Sequence, residues 1–219
     1  KQTPVHKGGG NFFDKYRPIT VCNSISKILE KLAQKRFLDF FTLHKILNKQ
    51  QFGFRKGHST LHAMINLFDA TLENLDQGLT VGSVFLDISK AFDCVDHSIL
   101  LHKLSHYGVR GTSYNWIKSY LTNRKQYVNI QGSSSAQYSP IFGVPQGSVL
   151  GPLLFLIFIN DVTSSSSILS FSMFADDTAL NLAIHRDQYE YTLQSELLNV
   201  FNWFEANLLL LNVDKTKYV

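Results

Sequence analysis

The stretch Ser172-Met173-Phe174-Ala175-Asp176-Asp177-Thr178-Ala179-Leu180 places two adjacent acids between apolar flanks. Successive side chains of a strand point to opposite faces of a sheet, so two neighbouring acids inside such a run belong at a turn. A buried pair of carboxylates is costly unless a cation or a hydrogen bond compensates it, and magnesium takes carboxylate oxygens. The pattern also fits an ordinary polar hairpin turn, because Asp is common in turns.

A third acid ends a second apolar run. Residues 81–88 read Val-Gly-Ser-Val-Phe-Leu-Asp-Ile, with Asp87 close to the C-terminal end. A short run of this kind is typical of a central strand. One interpretation is that Asp87 caps the segment that follows it. Two central strands that each end in Asp favour a two-metal site, in which a carboxylate bridges two ions roughly 3.5–4 Å apart.

Six motifs stand in a fixed order around these acids. They are Tyr16-Arg17-Pro18-Ile19, residues 51–59 (QFGFRKGHS), residues 85–97 (FLDISKAFDCVDH), residues 143–152 (GVPQGSVLGP), Phe174-Ala175-Asp176-Asp177 and residues 211–216 (LNVDKT). In that order they resemble two fingers motifs and then motifs A, B, C and D of reverse transcriptases. The residues within these motifs are similar to those of the non-LTR (LINE-type) retrotransposon branch. Because the ordered set covers nearly the whole chain, it is far more specific than any one motif.

The resemblance implies an α+β fold, the fingers and palm of a right-hand polymerase. The palm would be a split βαβ (ferredoxin-like) antiparallel sheet with helices on one face, and the thumb would be absent. Strands are predicted at 81–87, 168–175, 178–184 and 208–219. We expect fingers at 1–80, palm with motif A at 81–111, a fingers/palm connection at 112–142, and palm with motifs B, C and D at 143–219. Together these form one reverse transcriptase domain, a fragment of a longer polypeptide.

The resemblance also implies which residues carry the chemistry. The expected catalytic residues are Asp87, Asp176, Asp177 and Lys215, and the expected metal ligands are Asp87, Ile88, Asp176 and Asp177. Two Mg²⁺ ions are the expected cofactors, with Mn²⁺ as a substitute. Lys215 would protonate the departing pyrophosphate, and Lys217 is the alternative. The expected nucleotide-binding residues are Lys7, Arg17, Ser89, Lys90, Ala91, Phe92, Gln146 and Gly147, and the expected nucleic-acid contacts are Arg55, Lys56 and Pro145.

Phe92 lies five positions after Asp87, where RNA-copying RNA polymerases typically carry another Asp. A large ring there resembles the steric gate of reverse transcriptases, which crowds a 2′-hydroxyl and so favours deoxynucleotides. Simple core packing is the alternative for Phe92. For Arg17 the alternative is a surface ion pair, and for Gln146 an ordinary loop position. Gly147 has no Cβ, so the backbone there can approach a ligand closely.

Helical periodicity and capping residues predict the helices. The expected spans are 24–47 with Ser24 as cap, 60–75 with Ser59 or Thr60 as cap, 97–107 with Asp96 as cap, 113–121, 148–162 and 187–207. In the second of these, five apolar residues are expected to face inward: Leu61, Met64, Ile65, Phe68 and Leu72. Residues 1–14, with three consecutive glycines, are predicted to be a loop.

The composition is that of a globular chain. Of 219 residues, 44% are hydrophobic and 17% charged, and the net charge of +4 permits nucleic-acid binding without indicating it. The two cysteines, Cys22 and Cys94, form no disulfide framework and favour a reducing compartment. We therefore expect an intracellular protein, and the resemblance implies a cytoplasmic ribonucleoprotein and the nucleus. The longest apolar run, 149–159, is too short to cross a bilayer.

The resemblance implies RNA-templated DNA synthesis from a primer 3′-OH, in retrotransposon copying. The expected partners are template RNA, a DNA primer or target, deoxynucleoside triphosphates and the rest of the same polypeptide, with its endonuclease and thumb; no membrane partner is expected. One alternative is a catalytically inactive, RNA-binding remnant of a retrotransposon polyprotein. Another is a group II intron maturase or a telomerase-like reverse transcriptase.

Overall fold

The computed structural model describes residues 1–8, 12, 15–122 and 124–219. The chain divides into two compact units, residues 1–46 with 95–155 and residues 47–94 with 156–219. The fingers and palm ranges expected from the sequence divide the chain differently and stay a prediction. In the described part of the chain, no helix combines the length and the apolar character needed to cross a membrane.

The helices and strands of the described residues follow one another along both units. In chain order they are β1 (Gln2–His6), β2 (Tyr16–Thr20), α1 (Ser24–Leu43), α2 (Thr60–Asp76), β3 (Thr80–Leu86), α3 (His97–His106), α4 (Gly111–Thr122), β4 (Asn129–Ile130), β5 (Ser133–Ser134), α5 (Gly151–Ile159), β6 (Ser170–Phe174), β7 (Asp177–Ile184), α6 (Tyr189–Ala206) and β8 (Lys217–Tyr218). Each predicted helix is present, with its ends shifted by a few residues. The predicted α+β class is confirmed.

The first unit combines an antiparallel hairpin of β1 and β2 with α1, α3 and α4. The loop predicted for residues 1–14 is wrong where β1 lies, and its residues 9–11 and 13–14 fall outside the described residues. The Asn23 side chain, not the predicted Ser24, caps α1 by accepting the Ser26 N–H at 2.7 Å. The predicted cap of α3 is confirmed, since the Asp96 carboxylate accepts the Ile99 N–H at 2.9 Å.

The second unit is built on a four-stranded antiparallel sheet with the order β6-β7-β3-β8. The long β3–β7 pairing runs from Thr80↔Ile184 to Leu86↔Thr178. The strand predicted at 208–219 is wrong for most of its length, because only Lys217–Tyr218 pairs with β3 as a strand. Ahead of β8 the backbone turns instead, with the Lys215 and Thr216 N–H groups donating to the Asn212 carbonyl.

Helices cover both faces of this sheet. Ser83 and Asn181 are paired across β3 and β7, and the Asn181 amide donates to the Thr71 hydroxyl of α2 at 3.0 Å. Gly82 points to the opposite face, where a Cβ would lie 1.6 Å from the Tyr189 hydroxyl at the start of α6. The predicted placement of the helices on one face is therefore wrong, because α2 lies opposite the start of α6.

α2 packs on the sheet through its small residues. The Ser172 hydroxyl of β6 donates to the Ala63 carbonyl at 3.0 Å, so helix and strand approach closely. The larger residues of α2 point away: Leu61 is 60% exposed and Phe68 57% exposed. The predicted inward orientation is wrong for all five residues, Leu61, Met64, Ile65, Phe68 and Leu72. The two sheet residues that bond to α2, Ser172 and Asn181, are polar, so the contact is made through hydrogen bonds and not through the large apolar residues of the helix.

Candidate active site

The strand register brings Asp87 and Asp177 to the same edge of the sheet. Leu86 and Thr178 are the last paired residues of β3 and β7, and the next positions along the two strands are Asp87 and Asp177. Directly opposite residues of an antiparallel pair have Cβ atoms about 4.5–5.5 Å apart. The register thus places Asp87 at the end of β3 beside Asp177 at the start of β7, and their role as metal ligands stays a prediction.

Asp176 lies in the two-residue turn that joins β6 to β7. The hairpin closes on the pair Phe174↔Asp177, which leaves Ala175 and Asp176 as the turn. Ala175 has φ +59°, as the twist of a tight hairpin requires of its first turn residue. For a residue with a Cβ this conformation costs roughly 1–2 kcal/mol, so the turn needs outside support. Asp176 is half-buried and Asp177 exposed, which leaves both carboxylates at the surface of the unit.

Lys215 contacts the first acid. Its ammonium nitrogen lies 3.3 Å from Asp87 Oδ2, with side-chain exposures of 68% for Lys215 and 30% for Asp87. An exposed ion pair of this kind contributes roughly 0–1 kcal/mol to stability. Its chemical consequence is larger, because a metal ion taking this carboxylate oxygen must displace the lysine. The contact also places the predicted proton donor beside a predicted metal ligand.

Carboxylates alone form the donor set at this edge, and hard oxygen ligands suit Mg²⁺. Across residues 1–8, 12, 15–122 and 124–219, no three His, Cys, Asp or Glu side chains already stand close enough together to hold a metal ion. The carboxylate oxygens of Asp87, Asp176 and Asp177 fit magnesium, but the three side chains do not already form a compact set of ligands. Ile88 can add only its carbonyl. The hydrogen bonds beside it use the Asp87 carbonyl, bonded to Asn212 N–H, and the Ser89 N–H, bonded to the Leu210 carbonyl.

Phe92 lies just beyond this edge, in the short 3₁₀ turn Ala91–Asp93. It is half-buried, and its ring meets the Phe54 ring edge-on, with centroids 6.2 Å apart and planes at 88°. Phe54 itself is 53% exposed and has φ +53°. Ala91 is buried, whereas Lys90 is exposed. Phe92 is thus neither a fully buried core residue nor a free surface ring, and the gate role stays a prediction.

Arg55 and Lys56 differ in their surroundings. Nη1 of Arg55 donates to the backbone carbonyls of Asn48 at 2.7 Å and Gln51 at 3.0 Å. Partial burial lowers the pKa of the Arg55 guanidinium below its ordinary value. Lys56 is exposed. Arg55 therefore supports its own loop in this structure, and the predicted contact of both residues with template RNA stays a prediction.

The remaining predicted residues belong to the first unit. There the Thr20 N–H of β2 donates to the Gln146 carbonyl at 2.7 Å. Gly147 has φ +89°, and a Cβ on it would lie 3.1 Å from the Thr20 carbonyl, so glycine is required for this close approach. Pro145 is buried, whereas Arg17 and Lys7 are exposed.

A buried carboxylate holds the loop that contains Gln146. Glu30 of α1 is 2% exposed and accepts the N–H groups of Val149 at 2.8 Å and Leu150 at 3.3 Å. The Ser148 hydroxyl accepts the Gly151 N–H at 2.9 Å and donates to the Pro145 carbonyl at 2.8 Å. α5 therefore begins at Gly151 instead of the predicted residue 148, and Glu30 was missed because nothing in its own helix marks it.

Gln51 was also missed as a functional residue. It stands in a quoted motif, but its side chain is buried against Ala175, 124 residues further along the chain. A polar residue of a glycine-containing loop gives no sequence signal of such a contact. The only hint is Gly53 two positions later, which marks a place where backbones approach closely.

Comparison with known proteins agrees with this geometry. Residues 5–219 match the profile of the reverse transcriptase (RNA-dependent DNA polymerase) family. A probable RNA-directed DNA polymerase from transposon BS of Drosophila melanogaster is 34% identical over 93% of this chain and 23% of its own length. The RNA-directed DNA polymerase from mobile element jockey of the same species is 35% identical over 80% of this chain and 20% of its own length. The chain thus spans a quarter or less of these relatives.

Among solved structures, apo telomerase from Candida tropicalis is similar with a TM-score of 0.69 and 11% identity. The match covers 93% of this chain and 42% of that one. At this identity the likeness shows a shared fold alone.

Proposed function

Since the chain belongs to the reverse transcriptase (RNA-dependent DNA polymerase) family, we propose that it adds deoxynucleotides to a primer 3′-OH on an RNA template. The observation that carries the proposal is the strand register, which places Asp87 just after the end of β3 and Asp176 and Asp177 in and next to the turn that begins β7. Its similarity to polymerases of Drosophila mobile elements supports a role in the copying of a non-LTR retrotransposon. The order β6-β7-β3-β8 supports the assignment of this sheet to the polymerase palm.

In the proposed reaction the primer 3′-oxygen attacks the α-phosphorus and pyrophosphate leaves. The chemistry supplied by two bound Mg²⁺ ions is a lower pKa of the primer hydroxyl and neutralisation of charge on the leaving group. Asp87, Asp176 and Asp177, with the Ile88 carbonyl, would hold them. The task of this part of the chain is to bring those oxygens to one edge and keep them there, because positioning and charge neutralisation supply most of the acceleration.

Lys215 is the proposed proton donor to pyrophosphate. Its ammonium lies 3.3 Å from Asp87 Oδ2, and Lys217, whose backbone pairs with Phe85 two residues before Asp87, stays the alternative. Asp87 would exchange the Lys215 ammonium for a bound cation, and the exposed Lys215 side chain would then be available to pyrophosphate.

The nucleotide and the template are proposed to contact the remaining predicted residues. The triphosphate contacts would come from Lys7, Arg17, Ser89, Lys90, Ala91, Phe92, Gln146 and Gly147, with Phe92 crowding a 2′-hydroxyl. The nucleic-acid contacts would come from Arg55, Lys56 and Pro145. A thumb and an endonuclease would be supplied by other segments of a longer polypeptide, as the share of the relatives that this chain spans suggests. The free cysteines Cys22 and Cys94 support an intracellular location.

The test is primer extension on an RNA template with Asp176→Asn and with the matched surface variant Asp214→Asn. Asp176→Asn should abolish extension while leaving RNA binding largely intact, because it removes one carboxylate charge without changing the shape of the turn. Asp214→Asn should extend like the wild type. Wild-type extension by Asp176→Asn would refute the assignment, and RNA binding without extension by the wild type would favour an inactive remnant.

A further inference from the structure

The segment that contains Gln51 runs alongside β6, next to the turn Ala175-Asp176 that joins β6 to β7. The Phe52 N–H donates to the Met173 carbonyl at 2.8 Å, and the Met173 N–H donates to the Gln50 carbonyl at 2.8 Å. Gln51 and Met173 thereby form a parallel bridge on β6. The loop thus adds backbone pairing to β6 two residues before the turn begins.

The Gln51 side chain reaches into the turn itself. Its Oε1 accepts the Ala175 N–H at 2.9 Å and the Gly53 N–H at 2.7 Å, and its Nε2 donates to the Ala175 carbonyl at 3.2 Å. Gln51 is 2% exposed, so water does not compete for these bonds. One buried amide therefore satisfies both backbone groups of Ala175, the residue directly before Asp176 and Asp177.

Ala175 needs this support, because its φ of +59° is disfavoured for any residue with a Cβ. The surroundings of Gln51 are adapted to hold it there. A Cβ on Gly53 would lie 2.1 Å from the Ala175 nitrogen, so only glycine allows the two backbones to come this close. From the other side, Arg55 Nη1 donates to the Gln51 carbonyl at 3.0 Å.

We infer that Gln51 is a positioning residue whose buried amide fixes Ala175 and so sets the direction in which Asp176 and Asp177 present their carboxylates. Gly53 and Arg55 keep Gln51 in place, and none of the three touches the reacting atoms. The inference rests on the proposed function for its catalytic consequence. Its structural part, the clamp on Ala175, is measurable without any reaction.

The variants are Gln51→Leu, which removes all three bonds of the amide, and Gln51→Glu, which keeps an acceptor but loses the donor to the Ala175 carbonyl. The matched controls are Gln50→Leu and Gln50→Glu, because Gln50 contributes backbone atoms to the bond with Met173. Gln51→Glu keeps the shape of the side chain, so the test survives if Gln51→Leu fails to fold. Asp176→Asn is measured beside them.

Three readouts separate positioning from general stability. Hydrogen exchange of the Ala175 amide should be at least about tenfold faster in Gln51→Leu, because its acceptor is gone. Mn²⁺ affinity of the 219-residue chain, measured by electron paramagnetic resonance, should fall about 10–100-fold in both Gln51 variants, as is usual when an orienting partner of a metal ligand is lost. In primer extension kcat should fall by a similar factor, with the KM for deoxynucleotide unchanged.

The outcomes distinguish this inference from the proposed function. Unchanged Ala175 exchange in Gln51→Leu, or wild-type kcat and Mn²⁺ affinity in both Gln51 variants, would overturn the inference even if Asp176→Asn abolishes extension. Extension that survives in Asp176→Asn would overturn the proposed function, while faster Ala175 exchange would still support the clamp. Equal losses in the Gln50 controls would also overturn the positioning role.

Discussion

Glu30 offers the sharpest stability test, because one buried carboxylate holds the loop that leads into α5. Replacing it in Glu30→Ala leaves the Val149 and Leu150 N–H groups without their acceptor. A buried donor left unsatisfied costs about 1–3 kcal/mol. Loss of a carboxylate at a helix N-terminus adds roughly 0.3–1 kcal/mol, up to about 2 when partly buried. With two such donors, the expected loss is at least about 2 kcal/mol, and it should be smaller for Glu30→Gln, which keeps an acceptor.

The assay follows urea unfolding by tryptophan fluorescence. The chain has two tryptophans, Trp116 in the first unit and Trp203 in the second, so a Trp203→Phe background makes Trp116 report on the first unit alone. Trp116 stacks on Tyr120 with ring centroids 5.8 Å apart, which makes its emission sensitive to unfolding of α4. The control is Asp39→Ala on the exposed side of α1, in the same unit, which should change the unfolding free energy by less than about 0.5 kcal/mol.

A Glu30→Ala variant within about 0.5 kcal/mol of the background would refute the reasoning, because it would show that the two N–H groups find other partners. Primer extension by the same variant provides a second check. The Gln146 carbonyl is bonded to Thr20, and the loop from Pro145 to Gly151 depends on Glu30 and Ser148. A loosened loop should therefore raise the KM for deoxynucleotide by a larger factor than it lowers kcat.

The other predictions concern the candidate active site. Lys215→Ala should lower kcat about 10²–10⁴-fold, because a proton donor is lost. It should also lower the Mg²⁺ concentration for half-maximal extension, because the Lys215 ammonium no longer competes for Asp87. Equal effects of Lys217→Ala would contradict the choice of Lys215. Phe92→Val should admit ribonucleotides, measured as the ratio of kcat/KM for deoxynucleotide and ribonucleotide. Phe54→Ala should shift the same ratio by a smaller amount, because it removes the ring that contacts Phe92, and Phe12→Ala is the control. An unchanged ratio in Phe92→Val would show that Phe92 is not the gate.

Local chemistry made several features predictable from the sequence. Two adjacent acids in an apolar run favour a turn, and the structure places Asp176 in the turn and Asp177 at the first position of β7. Side-chain caps act over three residues, so Ser59 and Asp96 could be recognised as helix starts from neighbouring residues alone. The choice of Ser24 over Asn23 failed by one residue because both residue types cap well.

The predictions that failed depend on contacts between residues that are far apart in the sequence. Periodicity shows that the apolar residues of α2 share one side, but it does not show which side faces the sheet. There the polar side chains of Ser172 and Asn181 donate to the Ala63 carbonyl and the Thr71 hydroxyl. The apolar residues after 208 suggested a strand, yet Leu208 has φ +56° and the chain turns again at Asn212. Gln51 and Glu30 act on residues more than 100 positions away, and no local pattern marks such contacts.

The interleaving of the two units has a consequence for synthesis on the ribosome. The first unit needs residues 95–155 to join 1–46, and the second needs residues 156–219 to join 47–94. Translation therefore delivers the N-terminal half of each unit well before its complement, and β3 emerges long before β7 can pair with it. The early segments therefore remain unpaired, and prone to aggregation, until β7 has left the exit tunnel. This topology predicts that chaperones are needed during translation.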